Sequence, residues 1–151
     1  GATLVQRLQM MELLAAADAR KSLACGLTGH PLFVDKAAAL RKLVPQGSRI
    51  MLLVGFDTWV RIVDPKYYAE GQLPRVLREI FDNVEVLVAS RDASSAANLE
   101  PMSTAEQQAA VDGSVPEDVA SGRLHFLPVE SPLSKLSSSA VRQAVEAGDV
   151  A

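Results

Sequence analysis

Residues 49–54 read Arg-Ile-Met-Leu-Leu-Val and are followed at once by Gly55. A continuous apolar run that ends at a glycine is typical of a strand buried on both faces of a parallel sheet. Two more apolar runs, at 84–89 and 124–129, predict two further strands. These runs indicate the fold class, because the segments between them have a different pattern.

The other segments with regular spacing are amphipathic and favour helices. Helices are predicted at 4–20, 35–43, 57–63, 74–81 and 104–111. A short strand is expected at 23–27, although Ala24 and Gly26 are poor strand formers. Strands that alternate with helices predict an α/β fold with a parallel sheet and right-handed crossovers. We find no repeat, and we expect residues 1–151 to form a single domain.

Composition excludes some functional classes. The chain has 151 residues, of which 48% are hydrophobic and 22% charged, and a net charge of −3. This charge gives no basic surface for a nucleic-acid polymer, although a mononucleotide needs only local donors. No apolar run reaches the roughly 20 residues that span a bilayer, so no membrane partner is expected. With Cys25 as the sole cysteine, we expect an intracellular protein, cytoplasmic or nuclear; the sequence leaves a homo-oligomer open.

A serine cluster follows the third predicted strand. Residues 137–142 read Ser-Ser-Ser-Ala-Val-Arg and open an amphipathic segment that ends at Gly148. Hydroxyls and free backbone N–H groups at a helix start can bind an anion, and Arg142 adds a fork of donors suited to phosphate. Serines are also ordinary helix caps, and an arginine in a first helical turn is ordinarily solvated. The cluster alone therefore leaves both interpretations open.

A second motif follows the first predicted strand. In open parallel sheets, ligands bind beyond the carboxyl ends of the strands, and Gly55-Phe56-Asp57-Thr58 falls at such a point. Gly55 allows close approach of the backbone, and Asp57 could accept hydrogen bonds from a ribose hydroxyl. The alternative is that Asp57 only caps the following helix. Arg91, after the second strand, either contacts a nucleotide or is solvated.

Taken in order along the chain, the motifs resemble the nicotinamide/nicotinate mononucleotide adenylyltransferases. The segments that carry the resemblance are 6–14, 31–36, 55–58, 64–68 and 136–142. The last of these is similar to the family's Ile-Ser-Ser-Thr-x-Ile-Arg pattern, with conservative changes at Leu136, Ser139 and Val141. Segments 6–14 and 31–36 look like the fungal-type branch. The resemblance implies a Rossmann-like nucleotidyltransferase fold.

The resemblance also implies a reaction and a site. ATP and nicotinamide or nicotinate mononucleotide would give NAD or its deamido form plus pyrophosphate, with Mg²⁺ carried by the ATP phosphates. Gly55 and Asp57 would hold the adenosine ribose. Ser138, Ser139 and Arg142 would bind the ATP phosphates, and Arg142 would act catalytically by stabilising charge on the departing pyrophosphate. No metal ligand from the chain is expected.

The mononucleotide would be bound by aromatic and acidic side chains. By resemblance, Phe33 aligns with an aromatic residue that stacks on the pyridine ring, and Asp35 with an acidic neighbour. Tyr68 is a second candidate ring partner. The alternative for both aromatic residues is a place in the core. Trp59 and His125 are expected to be structural.

The sequence departs from the family pattern at its beginning. The family's first strand and its Gly-x-Phe-x-Pro-x-His-x-x-His loop, which steadies the ATP phosphates, do not occur in this sequence. We expect a longer protein that contains them, because the missing strand would lie in the middle of the sheet. The alternatives are a nucleotide-binding or regulatory protein without catalysis, and a nucleotidyltransferase with another acceptor.

Overall fold

The computed structural model describes residues 2–91, 102–129, 143 and 146–148. The chain forms two compact units, Gly1–Pro31 and Leu32–Ala151. Within the described residues, the first unit contains one helix, and the second contains five helices, a 3₁₀ turn and a parallel sheet.

The first unit begins with helix α1, Leu4–Ala17. Thr3 and Gln6 form a reciprocal capping box, because each side chain accepts from the backbone N–H of the other. The predicted helix is therefore confirmed, but it is one turn shorter than expected. Asp18 ends it, and its carboxylate accepts first from the hydroxyl and then from the backbone N–H of Ser22, and these hydrogen bonds lower the pKa of Asp18. The strand predicted at 23–27 was wrong: no described strand pairs with this segment, which contains two poor strand formers.

The second unit alternates helices and strands. Its helices are α2 (Phe33–Leu43), α3 (Phe56–Ile62), α4 (Leu73–Asn83), α5 (Thr104–Asp112) and α6 (Glu117–Ala120). Its strands are β1 (Met51–Gly55), β2 (Glu85–Ala89) and β3 (Leu124–Leu127), and a 3₁₀ turn covers Pro65–Tyr67. Each helix and strand predicted between residues 35 and 129 is present with its ends shifted by at most two residues, except that α6 was not expected.

The three strands form one parallel sheet in the order β1-β2-β3. Val54 lies opposite Val88, and Val88 lies opposite Phe126, so these side chains share one face. Gly55 pairs with Ala89 at the carboxyl end of the sheet. The α/β class with a parallel sheet is confirmed.

The core lies on the face of the sheet that carries Val54, Val86 and Val88. These valines belong to one buried cluster together with side chains from all five helices of the unit. On the opposite face Leu53 is 65% exposed and Met51 is 44% exposed. The expectation that residues 49–54 are buried on both faces was wrong, because no element among the described residues covers the face of Leu53.

Trp59 of α3 connects three helical regions. Its side chain is 1% exposed, and its ring meets Phe81 of α4 edge to face at 6.4 Å between centroids. Its indole Nε1 donates to Ser114 Oγ at 3.1 Å, just after α5. The structural role predicted for Trp59 is therefore confirmed, and α3 is held firmly beneath the carboxyl end of β1.

Candidate functional site

An ion pair lies at the carboxyl edge of the sheet. Asp57 is in the first turn of α3, directly after β1, and Arg91 comes two residues after the end of β2. Arg91 Nη1 donates to Asp57 Oδ1 at 3.1 Å, and each side chain is about a third exposed, at 32% and 29%. Among the described residues, the Asp57 carboxylate accepts from Arg91 and does not cap the start of α3. Two charged groups meet here, both reachable from solvent.

Gly55 makes room for this pair. A Cβ added at Gly55 would lie 2.9 Å from Asp57 Oδ1 and 3.5 Å from Arg91 Cδ. The backbone of Gly55 has φ −78° and ψ 158°, which any residue adopts. The Asp57 carboxylate therefore occupies the space that a side chain at residue 55 would need, whereas the backbone conformation does not call for glycine. We call Gly55, Asp57 and Arg91 the edge cluster.

A buried glutamine holds the backbone of Arg91. Gln107 of α5 is 3% exposed, and its Oε1 accepts from Arg91 N at 3.0 Å. Its Nε2 donates to the carbonyl oxygens of Arg91 at 2.7 Å and of Met102 at 3.0 Å. One side chain therefore satisfies both backbone groups of Arg91 at the point where β2 has ended.

Ser90 joins the ends of β2 and β3. Its backbone N donates to the carbonyl of Leu127 at 3.0 Å, and its buried hydroxyl accepts from the backbone N of Val129 at 2.8 Å. The chain thus leaves β3 at the same edge of the sheet where the edge cluster lies. The serine motif follows in the sequence.

The serine motif itself falls in residues 130–142, so Ser138, Ser139 and Arg142 lie outside the described residues. Beyond it, Ala147 N donates to the carbonyl of Gln143 at 2.9 Å, and Gly148 has φ 76°. This left-handed conformation is the one expected of a glycine just past a helix end.

The residues predicted to bind a mononucleotide all lie in the second unit. Phe33 is the first residue of α2 and packs partly against the core, with Lys36 Nζ 4.5 Å from its ring centroid. Asp35 is exposed in the same helical turn. The Tyr68 hydroxyl donates to the carbonyl of Ile62 at 2.8 Å, and burial raises the pKa of Tyr68. Among the described residues, no hydrogen bond or ion pair joins these three to the edge cluster.

A second charged group occupies the amino end of the sheet. Arg49 Nη2 donates to Glu85 Oε2 at 2.7 Å, and His125 Nε2 lies 3.0 Å from the same oxygen. Arg49 and then His125 lower the pKa of Glu85 to about 2. This group ties β2 to β3, which agrees with the structural role expected of His125. It lies at the opposite end of the sheet from the carboxyl ends of the strands, where parallel sheets bind ligands.

The described residues contain neither a cluster suited to a metal ion nor a helix suited to a membrane. No group of three or more histidine, cysteine, aspartate or glutamate side chains there is placed to hold a metal ion. Within the same residues, no helix has both the length and the apolar character needed to cross a membrane.

Sequence reasoning left Arg91 undecided and missed Gln107 altogether. A signal for Gln107 was present, because it precedes Val111 by four residues in the predicted helix 104–111. Residues at that spacing share one helical face, and Val111 is fully buried. A glutamine on the apolar face of a helix must bond to another buried polar group.

The fold and the edge cluster define an α/β protein with polar groups where parallel sheets bind ligands. Over 88 residues the chain is 38% identical to a protein of Schizosaccharomyces pombe (strain 972 / ATCC 24843) named "Putative nicotinamide mononucleotide adenylyltransferase". The match covers 58% of this chain and 34% of that relative, so it spans about a third of the relative's length. It supports the family that the motifs resemble. No family model matches the sequence, and no solved structure matches it.

Proposed function

We propose that this chain belongs to an adenylyltransferase of NAD synthesis. The 5′-phosphate of nicotinamide or nicotinate mononucleotide attacks the α-phosphorus of ATP. A new phosphorus–oxygen bond forms there, the bond between the α- and β-phosphates breaks, and pyrophosphate leaves. The products are NAD, or its deamido form, and pyrophosphate. The name of the S. pombe relative supports this proposal.

The structural observation that supports this proposal best is the edge cluster. Gly55 and Asp57 follow one strand and Arg91 follows its neighbour, so that the three meet where an α/β sheet binds a nucleotide. In the proposed complex, Asp57 accepts hydrogen bonds from the ribose hydroxyls of ATP. A carboxylate is a strong acceptor for such donors.

The phosphates would be bound by the serine motif. Ser138 and Ser139 offer hydroxyl and backbone donors, and Arg142 stabilises the charge that develops on pyrophosphate as it leaves. The substrate phosphate is itself the nucleophile, so no covalent intermediate with the protein is needed. The chain then acts by positioning and by charge stabilisation.

Mg²⁺ would enter as part of the MgATP substrate. This ion usually keeps several waters and binds through substrate phosphates and one or two carboxylates. When bound, the ion would supply charge neutralisation on the phosphates, and this chain's residues would hold the ribose and the departing group.

The mononucleotide would contact Phe33, Asp35 and Tyr68. Phe33 offers its ring to the pyridine ring, as an offset stack of two aromatic rings. The Tyr68 hydroxyl is engaged by the carbonyl of Ile62, so Tyr68 would contribute its ring and not its hydroxyl. For the whole protein, we propose the Rossmann-like nucleotidyltransferase fold of the family.

The proposal is tested by a coupled assay for NAD formation. Full-length protein is incubated with MgATP and either nicotinamide or nicotinate mononucleotide, and dinucleotide and pyrophosphate are both quantified. We expect the two products in equal amounts. ATP binding without product from either mononucleotide would contradict the proposal and favour a nucleotide-binding protein without catalysis.

A further inference from the structure

We propose that Gln107 is a positioning residue that makes the site select ribonucleotides over deoxyribonucleotides. It would act through the backbone of Arg91, whose guanidinium fixes the Asp57 carboxylate against which the ribose hydroxyls bind. The inference rests on the proposed function only in that Asp57 contacts the ribose of ATP.

The first step is the fixed orientation of Gln107. Its amide is almost completely buried, and both of its polar atoms are used, in three hydrogen bonds of 2.7 to 3.0 Å. Turning the amide over would place its NH₂ against the N–H of Arg91 and its oxygen against two carbonyls. Buried polar groups would then be unpaired, so the amide has one stable orientation.

The second step is what this orientation does to Arg91. The last ladder-like bond of β2 is made by Ser90 N to the carbonyl of Leu127, and the sheet no longer holds the next residue. Because Arg91 has no described strand residue beside it, Gln107 takes the place of one and pairs with both backbone groups of Arg91. The Arg91 backbone is therefore fixed beyond the end of the sheet, and its side chain starts from a defined point.

The third step is the orientation of Asp57. Arg91 Nη1 donates to Oδ1, and Gly55 leaves room for this arrangement, because a Cβ at residue 55 would be 2.9 Å from the same oxygen. With Oδ1 engaged, Oδ2 is the oxygen that accepts from a ribose hydroxyl. A carboxylate held this way loses little freedom on binding, which favours a ligand that carries the bound hydroxyl over an analogue that lacks it.

The test compares the binding of ATP with that of 2′-deoxy-ATP and 3′-deoxy-ATP by calorimetry, with the full-length protein. A hydrogen bond to a charged group predicts that ATP binds about 10- to 100-fold more tightly than the analogue that lacks the bound hydroxyl. Gln107→Met keeps the length of the side chain but removes its three hydrogen bonds. We expect this variant to reduce the ratio to about threefold or less, mainly by weakening ATP binding.

A matched control is available in the same region. Ser114→Ala removes a hydroxyl that accepts from Trp59 Nε1 and donates to the carbonyl of Val111 at 2.6 Å. This variant also loses hydrogen bonds next to α5, but none of them involves Arg91. It should lower stability and leave the ratio between ATP and its analogues as in the wild type.

Three results would overturn the inference. They are a wild-type protein that binds ATP and both analogues equally, a Gln107→Met variant with the wild-type ratio, and a Ser114→Ala variant that loses the ratio equally. If Gln107→Met does not fold, Arg91→Met replaces it, because this change leaves the backbone of Arg91 bound to Gln107. The ratio must then fall as well, and an unchanged ratio refutes the role of Arg91. Because the readout is binding alone, absence of NAD formation would contradict the proposed function without touching this result.

Discussion

Replacing Gly55 by alanine should change the affinity for ATP strongly and the stability of the protein only slightly. The added Cβ would be 2.9 Å from Asp57 Oδ1, whereas ordinary contact begins at 3.4 Å. The carboxylate must therefore move by about half an ångström to reach ordinary contact distance. Arg91 does not have to move, because its nearest atom would be at an acceptable 3.5 Å from the Cβ. Moving it away from Arg91 by that amount takes the 3.1 Å bond beyond hydrogen-bonding distance.

The expected change in stability is small because opposing effects are similar in size. An off-rotamer Asp57 costs about 0.5–1.5 kcal/mol, and a partly exposed ion pair contributes at most about 1 kcal/mol. Alanine at a position with an ordinary φ stabilises by about 0.4–1 kcal/mol, because the unfolded chain becomes less flexible. We expect a net loss of about 1 kcal/mol in the free energy of unfolding. Affinity for ATP should fall about tenfold, since the displaced carboxylate no longer meets the ribose.

Urea denaturation and calorimetric ATP titration of the full-length protein measure the two effects. The same substitution is then made in an Asp57→Ala background, where the obstructing oxygen is gone. There Gly55→Ala should stabilise the protein by about 0.4–1 kcal/mol and leave the residual ATP affinity unchanged. If alanine destabilises equally in both backgrounds, the contact with Asp57 is not what requires glycine, and the reasoning fails.

The remaining predictions concern the amino end of the sheet and the two groups of ligand contacts. The pKa of Glu85 is about 2 instead of 4.5, so its contribution to stability is complete above pH 4.5 and is lost as the pH falls toward 2. Glu85→Gln should remove this part of the pH dependence of stability, measured by urea titration at several pH values. If the free energy of unfolding of the variant and of the wild type changed in parallel with pH, the role of Glu85 would be contradicted. Arg142→Ala should reduce kcat for NAD formation by about 100-fold or more with an unchanged urea midpoint, because a charge contact made in the transition state is lost. Unchanged turnover would remove Arg142 from the site. Phe33→Ala should raise KM for the mononucleotide about threefold to tenfold and leave KM for ATP as it was, and an unaltered mononucleotide KM would exclude stacking.

The strands could be predicted because they are the most apolar runs in the chain, but their surroundings could not. Hydrophobicity along residues 49–54 indicates that burial is favourable, and it does not say which element provides it. Leu53, at 65% exposure, shows the difference. Its neighbour Val54 is buried by α3 and the other helices, whereas no described element packs on the side of Leu53.

The edge cluster could be predicted only in part, for a related reason. Parallel strands bring Asp57 and Arg91 to the same edge, which follows from the order of strands and helices alone. Whether the two side chains meet depends on the register, in which Gly55 lies opposite Ala89. A shift of one residue would change which side chains point to each face, and the alternation of apolar residues does not fix the register within a run as uniform as 49–54.

Gln107 is an example of a contact whose partner cannot be found from a single sequence. The helical spacing with Val111 places its amide among apolar side chains, and burial without partners would be unfavourable by about 1–3 kcal/mol. A partner must therefore exist, and the helical spacing could have indicated this although the sequence analysis missed it. Its identity follows only from the fold, which brings α5 against the end of β2, where a residue has just lost the pairing of its strand. The buried amide of Gln107 needs hydrogen-bond partners, and the backbone of Arg91 needs a neighbour because β2 has ended. The contact between them satisfies both, and for this reason we assign the orientation of Arg91 to Gln107.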